Sequence, residues 1–272
     1  MSNSFSPSPS LPLIRTLFIL LSVSILFSSC SRESHEVETD KESKEPVKIV
    51  YVDWASEVAS SNVIKAVIQK KMDRECELLP VSLNAMWQAL AAGDQDGMVA
   101  AWLPSLQAEY RDKYGPDVEY LGPNLKGTRI GLVVPEYVGI DSIEELSEYR
   151  DKFDGRIIGI DPQAGIMEKT EKAMQKYQLD KFNLISGSGP TMTKILKQAI
   201  EEKRWIVVTG WTPHWKFARW NLKYLKDPRK VYGNQEYIGT FVRKGLEKDM
   251  PEVYTLLDNF KWRPEDMEQV ML

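Results

Sequence analysis

From residue 47 onward the chain alternates short apolar, β-branched runs with longer stretches of helical period. Short apolar runs bounded by turn formers read as strands, and apolar residues at i, i+3 and i+4 as one helix face. Residues 47–52 form the first predicted strand. Ser56 or Ser60 is placed to cap a helix reaching about Arg74, with Val63, Ile64, Val67, Ile68 and Met72 on one face. A strand at 77–81 follows, then a helix capped by Asn84 and running through Ala92, the strand Gly97–Leu103, and a helix after Pro104. This βαβαβα order predicts a parallel sheet covered on both faces. A strand at 128–134 ends at Pro135, and a helix near 142–150 leads into a second series: strand 156–160, helix 166–177, strand 182–185, helix 191–203, strand 205–209. A last strand at 236–242 precedes helices at 251–260 and 264–271. Two βα series joined by crossing strands predict an α/β protein of two lobes with a cleft between them. Lobe 1 takes residues 47–135 and 239–272, and lobe 2 takes 136–238.

The densest aromatic stretch is WIVVTGWTPHWKFARW at 205–220, which holds four of the eight tryptophans. Trp205 lies inside its predicted strand and reads as core. Trp211 follows that strand, past Gly210, at the carboxyl end where open α/β sheets bind ligands. Trp54 follows the first strand and Trp102 closes the third, so both occupy equivalent places. Core packing does not require three tryptophans at strand ends. Aromatic faces carry negative potential, and a box of them suits a quaternary ammonium, which has no hydrogen bond to donate. The loop Asp161-Pro162-Gln163-Ala164-Gly165-Ile166 opens a helix. Its first-turn amides lack intrahelical acceptors and would stabilise a carboxylate. Box and amides together describe a site for a zwitterion.

Charge and composition narrow the chemistry. The formal net charge is −4, with acids and bases interspersed, which argues against nucleic acid. The histidines are His35 and His214 and the cysteines Cys30 and Cys76, so no zinc set assembles, and neither metal nor cofactor is expected. Ser186-Gly187-Ser188-Gly189-Pro190 lacks the lysine of a phosphate loop and reads as a helix cap. Thr209-Gly210-Trp211-Thr212 lacks the serine of a nucleophile elbow. His214 reads as a packed or capping side chain, and the aspartates and glutamates mostly as solvated surface, with no acid/base pair among them to pick out. The chain is therefore expected to be a binder and not an enzyme. With no titrating group in the box, affinity should be flat from about pH 5 to 8.

Residues 1–29 read as an export signal. Arg15 supplies the positive region, and TLFILLSVSILF at 16–27 is shorter than the ~20 apolar residues of a membrane span. Leu26-Phe27-Ser28-Ser29-Cys30 is similar to a bacterial lipobox, which implies a lipid on Cys30. Residues 31–46 are dense in charge with no apolar period and read as a flexible tether. Cys76 is then a lone thiol at a strand edge.

The stretches YVDWASEVASSNVI, MWQALAAG, AAWLP, IGLVVPEYV, IGIDPQAGIM, VVTGWTPHW and NFKW, in that order, resemble the glycine-betaine-type substrate-binding proteins of bacterial ABC importers. The resemblance covers about residues 47–272. It implies a two-lobed periplasmic-binding-protein fold, type II-like, that encloses trimethylammonium in a tryptophan prism and holds the carboxylate on backbone amides. By motif the prism falls on Trp54, Trp102 and Trp211, and the amides on Gly165 and Ile166. Some members carry a histidine five residues after the AWLP tryptophan; here that position is Gln107, an uncharged donor for the carboxylate. The resemblance further implies a monomeric, lipid-anchored, extracytoplasmic receptor that delivers glycine betaine to an ABC permease. Choline, carnitine and proline betaine are neighbouring ligands, and an enzyme or sensor acting on quaternary amines is the alternative. Ligand binding would close the lobes about a hinge near Pro135 and Gly239.

Overall fold

A computed structural model describes residues 44–272; the stretch read as an export signal, Cys30 and the expected tether as far as residue 43 lie outside them. The first elements follow the predicted alternation: β1 (Val47–Tyr51), α1 (Ala55–Met72), β2 (Cys76–Pro80), α2 (Leu83–Ala91), β3 (Gly97–Leu103) and α3 (Ala108–Tyr114). Then come β4 (Val118–Pro135), β5 (Arg156–Ile158), α4 (Gly165–Lys176), β6 (Asn183–Ile185), α5 (Gly189–Glu201), β7 (Val208–Thr212), the short α6 (Lys216–Arg219) and β8 (Leu222–Tyr224). The chain ends with β9 (Glu236–Arg243), α7 (Leu246–Asp249), α8 (Pro251–Asn259) and α9 (Pro264–Met271).

The strands form one mixed sheet in the order β2-β1-β3-β9-β4-β7-β5-β6, with β8 against β4. Parallel ladders join β1 to β2 and β3, and β5 to β6 and β7. Between these groups β9 and β4 run antiparallel to their neighbours. The parallel sheet expected from the βα order is thus confined to the two outer groups. The long β4 belongs to both halves. It pairs with β9 as far as Thr128↔Glu236, and from Arg129↔Thr212 onward with β7. The change of partner falls at Thr128/Arg129, upstream of the passage read at Pro135.

Several local expectations are corrected. Helix α1 begins at Ala55 behind an extended Trp54 with no side-chain cap, so neither Ser56 nor Ser60 caps it. Ser82 caps α2 in place of Asn84, its hydroxyl accepting from the Ala85 amide. Residues Ile143–Phe153 form a 3-10 helix, opened by a Ser142/Glu145 capping box and broken at Tyr149. Strand β7 begins at Val208, so Trp205 precedes it and Trp211 sits inside it.

Side chains alternate across the pleat and sort the core into layers. Val47 and Ile49 of β1 and Val99 of β3 pack with Ile64 and Ile68 of α1 and with Val253 and Leu257 of α8. Val50 of β1 and Met98 and Ala100 of β3 face the other way, toward Leu83, Met86, Trp87 and Leu90 of α2. That second layer continues through Trp102 and Trp211 into the half of the sheet that carries α4 and α5. Cys76 is a free, buried thiol, and burial pushes it up to about 11, so it stays protonated and unreactive at neutral pH.

Candidate ligand-binding site

Trp54, Trp102 and Trp211 line one pocket of about 350 Å³, together with Leu106, Gln107, Ile130, Ile160, Ala164, Gly165 and Ile166. The six candidate ligand-binding residues singled out in the sequence therefore meet at one place. Each arrives there by a different route. Trp54 is the residue between β1 and α1, its amide turned back onto the Val52 carbonyl at 2.7 Å. Trp102 closes β3, and Trp211 projects from β7 in the other half of the sheet. The expectation that Trp211 follows a parallel strand is corrected here. At Trp211, β7 runs antiparallel to β4, through Ile130↔Trp211.

The wall between Trp102 and α3 is fixed by a buried carboxylate. Glu236, at the start of β9, accepts from the Ser105 amide at 3.0 Å, from the Leu106 amide at 3.3 Å and from the Ser105 hydroxyl. Gln107 follows, 1% exposed. Its Oε1 accepts from Trp87 Nε1 at 2.9 Å, which orients the amide, and its Nε2 donates to the Ala100 carbonyl at 3.3 Å. One N–H of Gln107 is left over for a ligand.

Opposite lies the start of α4. The first internal bond there runs from the Met167 amide to the Ala164 carbonyl at 2.8 Å, behind Gly165 and Ile166. Their amides belong to the first turn, which offers them no intrahelical acceptor, and the helix dipole adds positive potential. Gly165 is a glycine for reasons of space. A Cβ at this position would stand 2.5 Å from the Leu106 carbonyl oxygen, across the cleft.

The groups behind the tryptophans were not foreseen. Trp102 Nε1 donates to Glu57 Oε1 at 2.7 Å, and the Ser56 hydroxyl donates to Glu57 Oε2 at 2.6 Å. Trp211 Nε1 in turn donates to Ser56 Oγ at 3.3 Å. Glu57 is fully buried. Burial pushes its carboxyl up to about 7, against the Ser56 and Trp102 hydrogen bonds, which pull it down. Glu57 is an exception to the mostly solvated acids, and a titrating group stands behind a box read as free of one. On the other side, Lys216 is also fully buried, with Nζ 4.4 Å from the Trp211 ring centre, and burial pushes its amine well below the usual lysine range. His214 is packed edge-on to Trp211 at 4.7 Å, and its Nδ1 accepts from the Lys216 amide at 3.1 Å.

Residues 45–272 match the family described as the substrate binding domain of ABC-type glycine betaine transport systems. The chain belongs to this family. Among curated relatives of the glycine betaine family, the glycine betaine/carnitine transport binding protein GbuC of Listeria monocytogenes serotype 1/2a (strain 10403S) is 54% identical over 118 residues. That alignment takes in 43% of this chain and only 39% of the relative's length. Lactococcal OpuAC, solved in its closed-liganded conformation complexed with glycine betaine, superposes with a TM-score of 0.78 at 43% identity, over 84% of this chain and 89% of that one. The glycine betaine, L-proline-binding protein ProX of Borrelia burgdorferi gives 0.79 at 39% identity, over 84% and 86%. The fold is therefore the two-lobed periplasmic-binding-protein architecture, and the relatives are transport binding proteins rather than enzymes. In this family setting Glu57 and Ser56 had one sequence signal: a serine-acid pair two and three residues after a strand-end tryptophan, at a helix start facing an apolar layer.

Proposed function

We propose that this chain is the extracytoplasmic solute-binding component of an ABC importer and that it captures glycine betaine. The observation that carries this reading is the convergence of three tryptophans from separate elements with the first turn of α4 around one small pocket. The rings take the trimethylammonium, and the amides of Gly165 and Ile166, with the remaining N–H of Gln107, take the carboxylate. Magnitudes support a zwitterion over a plain cation. Each desolvated ring contributes about 0.5 to 2 kcal/mol, so three give at most roughly 6 kcal/mol. Micromolar binding needs about 8 kcal/mol, and the carboxylate contacts must supply the difference and offset the cost of closure. Choline, which lacks the carboxylate, should bind more weakly than glycine betaine, carnitine or proline betaine. Closure turns on the strands shared by the two halves, β4 near Thr128/Arg129 and the entry to β9 at Glu236, and the closed form is what the permease recognises.

A thermal-shift panel tests the ligand class. At a hundredfold excess over its dissociation constant a ligand adds about 2.7 kcal/mol. For a domain of this size that is a rise of roughly 5–10 °C in melting temperature. Glycine betaine is expected to give such a rise and choline a smaller one at equal concentration. No shift with any quaternary ammonium would end the receptor reading.

The same reading places the protein on a membrane through a lipid on Cys30, with residues 31–46 as the tether. Cys30→Ala is expected to abolish incorporation of a labelled fatty acid and to release the protein from the membrane fraction. Undiminished labelling of that variant would rule out Cys30 as the site.

A further inference from the structure

We propose that Glu57 is a positioning residue for the cation cage: its buried carboxylate holds Trp102 directly and Trp211 through Ser56, and supplies the counter-charge behind the rings that grip a quaternary ammonium. This rests on the receptor reading above and adds a residue outside the pocket wall.

The geometry carries it. Trp102 stands on β3 in one lobe and Trp211 on β7 in the other, while Ser56 and Glu57 open α1 beside Trp102. The bond from Trp211 Nε1 to Ser56 Oγ therefore crosses the cleft, and closing the lobes completes a chain Trp211–Ser56–Glu57–Trp102. Both carboxylate oxygens are occupied, yet by neutral donors only. A buried carboxylate without a cation is costly to hold. A trimethylammonium on the far side of the indoles supplies that positive charge. An indole whose N–H is bound to a carboxylate is also polarised toward a more negative ring, which strengthens its attraction for the cation.

Glutamates at helix starts also serve stability alone, since the dipole favours them there. The two roles differ in what removing the charge does. Burial raises the carboxyl of Glu57, so in the folded protein it ionises at about 7 and in the unfolded chain near 4.5. The folded state then binds the extra proton between those values, and stability falls as pH rises from 4.5 through 7. Above that window the full cost is present, and a neutral isostere abolishes it. Ligand binding runs the other way: the bound cation favours the carboxylate, so affinity is full above about 7 and declines as pH falls through it. Lys48 and Tyr51 of β1, Cys76 and Glu77 of β2, and Glu265, Asp266 and Glu268 of α9 are the ionisable groups on the strands and helix packed most closely against α1, and none contributes to the shift; β3 carries no ionisable group. Beyond Trp211 stand His214 and Lys216, both held toward their neutral forms by burial.

The test is calorimetry with glycine betaine from pH 5.5 to 8.5, and thermal melts without ligand, on wild type, Glu57→Gln and Ser56→Ala. Glutamine keeps an acceptor for Trp102 and loses the charge. Glu57→Gln should bind about tenfold more weakly at pH 8, lose the pH dependence, and melt roughly 3 °C higher. Ser56→Ala, which leaves the charge and cuts the link to Trp211, should bind severalfold more weakly and keep the wild-type pH profile. If Glu57→Gln binds like wild type at pH 8, the proposal is overturned. Should that variant fail to fold, a wild-type affinity that is flat across the range overturns it equally. Wild-type binding with an indifferent Glu57 sinks this proposal alone, whereas a wild type that binds no quaternary ammonium sinks the receptor reading with it.

Discussion

Trp102→Ala is expected to weaken glycine betaine binding by about tenfold or more and to lower thermal stability at the same time. The ring's attraction for the cation is worth about 0.5 to 2 kcal/mol, and tenfold corresponds to about 1.4 kcal/mol. Trp102 is also 4% exposed and is a donor to the buried Glu57. Removing it opens a cavity, at about 3–5 kcal/mol for a large aromatic, and strips the carboxylate of a partner. Trp54→Ala and Trp211→Ala should lower affinity by a similar factor. Trp205→Ala is the control. That ring packs against Tyr149 and Phe153, with centroids 5.4 and 5.3 Å away, and does not line the pocket. It should cost stability and leave the dissociation constant where it was. Titration calorimetry beside thermal melts separates the two quantities. Three cage variants that bind like wild type would remove the basis for the cage.

Gly165→Ala is expected to weaken binding by about 10- to 100-fold while leaving the melting temperature of the unliganded protein almost unchanged. The added methyl would sit 2.5 Å from the Leu106 carbonyl oxygen and 3.0 Å from the Leu106 Cα and Cβ. The carbonyl oxygen and Cα are backbone atoms of a residue anchored by Glu236, and they have no rotamer through which to retreat. The clash exists only when the lobes meet, so the open form tolerates the change. Alanine is a better helix former than glycine, so a loss of affinity cannot be ascribed to a weakened α4. Small-angle scattering with saturating ligand should show the variant still extended where the wild type contracts. Wild-type affinity in this variant would mean that the two surfaces do not approach as closely as described.

How much of this was legible in the sequence depended on how local the determining physics was. The βα alternation, and the choice of Trp54, Trp102 and Trp211 as tryptophans that meet at one pocket, follow from period and position. The first half of β4 does not. Gly122, Pro123 and Gly127 read as turn formers, and the β4–β9 ladder accommodates them by register shifts at Tyr120/Gly122, Pro123/Leu125 and Lys126/Thr128. A strand held by a partner more than a hundred positions away leaves no periodic trace of its own. Trp205-Ile206-Val207 shows the reverse: an apolar, β-branched run whose strand starts only at Val208, because propensity names a candidate and pairing decides it. Glu57 was missed because glutamates belong on surfaces by default. Its place is set by donors at positions 102 and 56, one of which comes from another element.

The central claim is that the pocket recognises positive charge on aromatic faces, and a carbon isostere tests it most directly. In 3,3-dimethylbutanoate the quaternary nitrogen of glycine betaine is replaced by carbon, so shape, apolar surface and carboxylate are kept while the cation is lost. Calorimetric titration of the wild type with both compounds at pH 8 should show the isostere binding at least about 100-fold more weakly, as the loss of roughly 3 kcal/mol or more of ring attraction requires. Equal affinity for the two would show that the tryptophans form an apolar cup and not a cation cage.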